Sequence, residues 1–242
     1  MLPLSDDNRG RRSTPWVTYT LIVLNVLVFA YQSMLSEQAH WTFLQDWAVI
    51  PQEISSGTDV FTLITSAFLH GSWFHLGSNM LFLWIFGDNV EDVMGHVKFT
   101  LFYALTAIAA ALAQVFVTTD SVVPMVGASG AISGLLAAYI ILFPNGRIRT
   151  LITLGVFITI VLLPAWIMIG YWFFLQLISG VLSLGQSDTT GGGVAFWAHI
   201  GGFLAGFALV YPLRNRDRQG YQLSRRSSSS QQQTWGLGAR RR

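Results

Sequence analysis

The chain predicts an all-α polytopic membrane protein, a bundle of six transmembrane helices with both termini on the cytoplasmic side. Three observations carry that expectation. Hydrophobic residues make up 52% of the 242 and charged residues only 11%, against roughly 25% charged in an ordinary soluble domain. Six apolar runs approach the roughly 20 residues that cross a bilayer as a helix. The 14 Lys and Arg residues all fall in or beside the segments that six spans place inside, as the positive-inside rule requires.

The runs can be taken in order. After a short tail over 1–15, with Arg9, Arg11 and Arg12, the first covers Val17 to Leu35. Its length and lack of a small-residue cleavage site read as a retained span and not a signal peptide. The second covers Trp73 to Val90, the third Val97 to Val117, and the fourth Ala128 to Phe143. Between Thr150 and Leu184 the apolar stretch is too long for one crossing. Pro164 lacks an N–H and suits a first helical turn, so the fifth span is expected at Leu163 to Leu184. Thr150 to Leu162 then becomes a connector at the inner boundary. Gly155 and Pro164 interrupt this side, which makes it the expected mobile one. The sixth span covers Val194 to Leu213, closing a helical domain over 16–213.

Charge separates the two faces. The outer segments 36–72, 118–127 and 185–193 hold no Lys or Arg, but carry Glu37, Asp46, Glu53, Asp59, Asp120 and Asp188. In the first of them Trp41, Phe43, Trp47 and Phe61 suggest short interfacial helices. Residues 214–242 are rich in Ser, Gln and Arg, with runs at Ser227–Ser230 and Gln231–Gln233, and read as a disordered basic tail that meets anionic lipid. No P-loop or aromatic-basic surface suggests nucleic acid, and the absence of Cys excludes thiolate chemistry.

Polar side chains at membrane depth are functional candidates, because they are costly there. Three places stand out: His70, His75 and Asn79 at the start of the second span, Gly127-Ala128-Ser129-Gly130 at the start of the fourth, and Ala198-His199 in the sixth. These spans all run from outside to inside. His75, Asn79, Ser129 and His199 therefore share one layer, roughly 5–10 Å below the outer surface by helix rise.

Gly202 and Gly206 lie on the His199 face and offer a small-xxx-small groove to Gly130 and Gly134. Close helices would let Ser129 bond to His199 as nucleophile and general base. The Ser129 backbone N–H at a helix start, with His75 and Asn79, would supply an oxyanion hole. Asp88, Glu91 and Asp92 are roughly 20 Å too deep to join them, so a serine-histidine dyad is expected, not a triad. A proton relay through the two histidines would need a carboxylate partway across, and none lies between the outer layer and Asp88.

In order and placement these motifs resemble the rhomboid family of intramembrane serine proteases, over about Trp16 to Leu213. The resemblance implies a six-helix rhomboid bundle. Ser129 would be the nucleophile and His199 the base; His75, Asn79 and the Ala128-Ser129 backbone would stabilise the transition state, with His70, Gly127, Gly202 and Gly206 as structural support. It also implies transmembrane protein substrates, surrounding lipid, no cofactor or metal, and residence in a bacterial cytoplasmic (inner) membrane. Two positions depart from the family: Phe61-Thr62 stands where many members carry Trp-Arg, and Ser133 where some bacterial members carry a Tyr stacked on the catalytic imidazole.

Overall fold

A computed structural model of the chain describes residues 1–8, 10–154, 157–183 and 195–225. The segment 185–193, Arg9, Gly155, and the Ser227–Ser230 and Gln231–Gln233 runs lie outside the described residues.

The protein is mostly helical. Helix α1 (Trp16–Met34) is followed by three short helices, α2 (Glu37–Trp47), α3 (Pro51–Ser55) and α4 (Thr62–Thr65), and a 3-10 turn at Ser66–Phe68. The long helices α5 (Trp73–Met94) and α6 (His96–Val117) come next. They are followed by α7 (Ser129–Leu142), α8 (Ala165–Ser183) and α9 (Phe196–Leu213). Among the described residues α1, α6, α8 and α9 are long and apolar enough to cross a membrane, and α7 is a shorter apolar helix. Exposed large apolar side chains such as Phe74, Val97 and Phe116 are what lipid-facing surfaces carry, since hydrocarbon replaces water as their solvent.

Helix α7 is the centre of the bundle. From Gly130 to Tyr139 every side chain is buried, and the core around it gathers Leu83, Phe86, Phe99, Phe102 and Leu135. Helices α6, α7 and α9 approach one another through small residues. A Cβ placed on Gly202 would stand 2.0 Å from the Gly130 carbonyl oxygen, and one on Gly206 2.2 Å from that of Gly134. A Cβ on Gly201 would meet the Cβ of Ala113 at 2.2 Å. Without a hydrophobic driving force between helices in lipid, such close backbone packing supplies the attraction.

Three features differ from the expectation of an all-helical chain with a disordered tail from residue 214. A three-stranded antiparallel sheet, in the order β1 (Leu2–Ser5), β2 (Arg147–Leu154) and β3 (Phe157–Pro164), sits at the end of the bundle where α5 finishes. The segment read as a connector is rich in β-branched Thr, Ile and Val, a composition that suits a pleated strand. A short apolar run does not reveal this by its periodicity.

The fifth helix also starts later than expected. Pro164 is the last residue of β3, paired with Arg147, and α8 begins at Ala165, whose N–H donates to the Gly146 carbonyl at 2.8 Å. A strand end tolerates a residue with no N–H, and proline disfavours helix at the residue before it.

Finally, the tail is not disordered from residue 214: residues 216–225 are helical. Arg218 donates to the Asp92 carbonyl, the Gln219 side chain donates to the Leu142 carbonyl, and the buried Gln222 side chain donates to the Asp92 carboxylate.

The segments 11–18 and 218–222 converge on the last turns of α5. Arg11 pairs with Asp88 at 2.6 Å. Asp92 accepts from the backbone N–H groups of Arg12 and Ser13 and from the Ser13 hydroxyl. Glu91, fully buried, accepts from the N–H groups of Val17 and Thr18 at 2.9 and 2.7 Å and from the Thr18 hydroxyl at 2.6 Å. The residue before α1 is Pro15, and it provides no side-chain cap. A carboxylate from another helix thus fills the N-terminal donors of α1 and complements its dipole.

Candidate active site

At the opposite end of the bundle from the sheet, the first turns of α5, α7 and α9 lie together. Ser129 is the first residue of α7, and the N-cap position belongs to Ala128. Its hydroxyl is therefore not spent on capping. Ser129 Oγ stands 2.8 Å from His199 Nε2 in the first turn of α9. The Gly130–Gly202 and Gly134–Gly206 approaches lie directly below this pair, so helix spacing sets that distance.

Gly127 holds the other side. Its φ is +125°, a conformation rare for residues with a Cβ. A Cβ there would also stand 2.7 Å from His75 Cε1 and 3.7 Å from Asn79 Nδ2. The Gly127 N–H donates to the Ser66 carbonyl at 2.9 Å. His75 and Asn79 thus flank the backbone leading into Ser129, whose own N–H has no partner within its helix. Helix α5 starts at a Ser72 cap that accepts from the His75 N–H at 3.1 Å, which fixes where the imidazole emerges.

His70 lies just ahead of α5 and is fully buried. Its Nε2 accepts from Asn79 Nδ2 at 3.0 Å. Its backbone is held by buried Gln32 of α1, which accepts from the His70 N–H and donates to its carbonyl. Burial, reinforced by the neighbouring His75 ring, pushes the His70 pKa down from 6.5 to about 4. An unfolded His takes a proton below 6.5, whereas this one resists until about pH 4; stability is therefore complete above 6.5 and declines as pH falls between those values. Thermal unfolding in detergent at stepped pH should show that decline, and His70→Gln should remove this part of the slope.

The structure adds two residues that the sequence did not mark. Gln176 of α8 places Oε1 2.8 Å from His199 Nδ1, and the Trp172 ring lies 5.6 Å from the imidazole with a 40° interplanar angle. The available signal was a lone amide within an otherwise apolar helix, four residues after a tryptophan. At the departing positions, Ser133 is buried and donates to the Ser129 carbonyl at 2.6 Å. Thr62 donates to the Asp59 carbonyl while Phe61 packs edge-on against Trp47. Among the described residues no three His, Asp or Glu side chains converge as metal ligands.

Helices of this length and apolarity around a polar, small-residue-packed centre define a multi-pass membrane protein. Residues 57–216 match the Rhomboid domain, and the chain belongs to that family. It is 34% identical over 136 residues to Rhomboid protein 1, mitochondrial, of Saccharomyces cerevisiae, covering 54% of this chain and 38% of that protein. To Rhomboid-like protein 11, chloroplastic, of Arabidopsis thaliana it is 32% identical over 161 residues, 63% of this chain and 52% of the relative. To Rhomboid protease GluP of Bacillus subtilis it is 30% identical over 198 residues, 82% of this chain and 36% of the relative. The alignments thus span between about a third and a half of these relatives' lengths.

Proposed function

We propose that the protein is an intramembrane serine endopeptidase that cleaves transmembrane protein substrates near the outer membrane face, with Ser129 as nucleophile and His199 as general base. The observation that carries this reading is the 2.8 Å contact between Ser129 Oγ and His199 Nε2. In the proposed arrangement α1, α5, α6, α7, α8 and α9 cross a bacterial cytoplasmic membrane, with both termini inside. The 14 residues of α7 span only about 21 Å of a roughly 30 Å hydrocarbon core. Its N-terminal serine would then sit below the outer surface, within reach of water from that side.

The chemistry follows from the groups present. His199 takes the Ser129 proton as Oγ attacks the scissile carbonyl, then returns it to the leaving amine. The resulting acyl-enzyme is hydrolysed by water activated on the same imidazole. The oxyanion faces the Ser129 N–H and the donors of His75 and Asn79. Acidification slows cleavage by protonating His199. Substrate helices must unwind locally, since a peptide carbonyl inside a helix is already bonded.

Purified protein in proteoliposomes should cut members of a panel of single-span substrates, and fluorophosphonate should label it at Ser129. Ser129→Ala should abolish both, and Asn79→Ala should slow turnover by roughly 10-fold to 1000-fold through loss of an oxyanion donor. Cleavage that survives Ser129→Ala would overturn the reading.

A further inference from the structure

We propose that Gln176 and Trp172 of α8 are positioning residues for His199, the amide selecting the imidazole tautomer and the indole holding the ring plane. The inference rests on the reading of Ser129 and His199 as nucleophile and base. A neutral imidazole carries its proton on either nitrogen, and only the form with a free Nε2 can take a proton from Ser129. Gln176 Oε1, 2.8 Å from Nδ1, can only accept, so Nδ1 must donate to it. Nε2 is left as an acceptor, and Ser129 Oγ stands 2.8 Å away to fill it. The two hydrogen bonds form one chain with a single consistent direction.

The Trp172 indole also packs beside the imidazole, tilted 40° to it. Trp172 and Gln176 are spaced i, i+4 and lie one above the other on α8. The indole, 5.6 Å from the imidazole, lies within the range where an aromatic face attracts a ring cation. No aromatic ring comes from position 133, so α8 supplies from outside α7 what α7 lacks. An amide in this role keeps the site uncharged in the resting enzyme. A carboxylate would stabilise the imidazolium more, but would have to be carried at membrane depth, where ionised groups are costly. Among the described residues, the titratable group acting on His199 is His75 of α5.

The test uses the full-length protein in proteoliposomes with a cleavable single-span substrate, measuring kcat, KM and the pH profile of kcat. Gln176→Leu should lower kcat by roughly 10-fold to 100-fold with KM nearly unchanged, because the base loses its preferred tautomer. Gln176→Glu should restore turnover and move the acid limb of the profile to higher pH, because a carboxylate favours the imidazolium. Trp172→Ala should lower kcat, and Trp172→Phe should recover much of it. Wild-type kcat in Gln176→Leu overturns the proposal. So do equal losses in Gln176→Leu and Gln176→Glu with an unmoved acid limb, the signature of a merely structural amide. If Ser129→Ala still cleaves, the proposed function itself falls; if it is dead while Gln176→Leu matches wild type, only the positioning role falls.

Discussion

Replacing Gly202 with alanine is expected to lower the proposed proteolysis by about 100-fold, since a misplacement of about 1 Å is enough for such a loss. The added Cβ would stand 2.0 Å from the Gly130 carbonyl oxygen, and carbon does not approach oxygen so closely. Neither partner can rotate away, because both are backbone. The helices α7 and α9 must separate, and the 2.8 Å contact between Ser129 and His199, only one turn away, lengthens with them. Overpacking of this kind also costs stability, about 1–3 kcal/mol, visible as a lower unfolding temperature in detergent. Gly206→Ala, at 2.2 Å from the Gly134 carbonyl oxygen, should behave alike. Gly170→Ala in α8 is the contrast: nothing lies within 4 Å of its Cβ, and a helix interior gains from the exchange. If all three variants were equally active and stable, the glycine contacts would have no part in setting the site.

Glu91→Ala is expected to cost about 3–5 kcal/mol, the range for breaking a buried charged network by removing one partner. The carboxylate is fully buried and accepts from two backbone N–H groups and one hydroxyl at the start of α1. It also lies 2.6 Å from His96 Nδ1 at the start of α6. Alanine leaves the α1 donors without partners, and no side chain at Pro15 caps them. Glu91→Gln keeps one acceptor oxygen and should lose less. Unfolding midpoints in detergent for the two variants, with α1 detachment followed by proteolysis near Thr18, would measure the order. An Ala variant as stable as wild type would show that α1 does not depend on this cap.

Much of the bundle was legible because lipid imposes a simple code. A run such as Val97 to Val117 has no soluble alternative, and basic residues sort the ends. Ser129 and His199 were legible for the same reason, as polar intruders beside glycine pairs. Gln176 was not: one amide among Leu175, Leu177 and Ile178 carries no sign of the direction it faces, and that direction depends on how α8 is rotated against α9. The sheet was hidden because Ile158, Thr159, Ile160 and Val161 suit an apolar connector and a strand equally. Asp88, Glu91 and Asp92 marked the last turns of α5 without revealing that the segments 11–18 and 218–222 would close on them. That closure joins positions more than 70 residues apart, and no local pattern encodes it.

The direct passage from β3 into α8 has a mechanical consequence. No linker separates Pro164 from Ala165, and the Ala165 N–H is fastened to the Gly146 carbonyl, so the near end of α8 has no slack. Any displacement of this helix is a pivot about that end. Gln176 lies eleven residues along, about 17 Å from the fulcrum, and a swing of about 10° carries it about 3 Å. That is more than the whole length of its bond to His199. On the proposed mechanism the angle of α8 and the tautomer of the imidazole are therefore coupled variables, and a helix leaning outward would leave the proposed base unset until it leaned back.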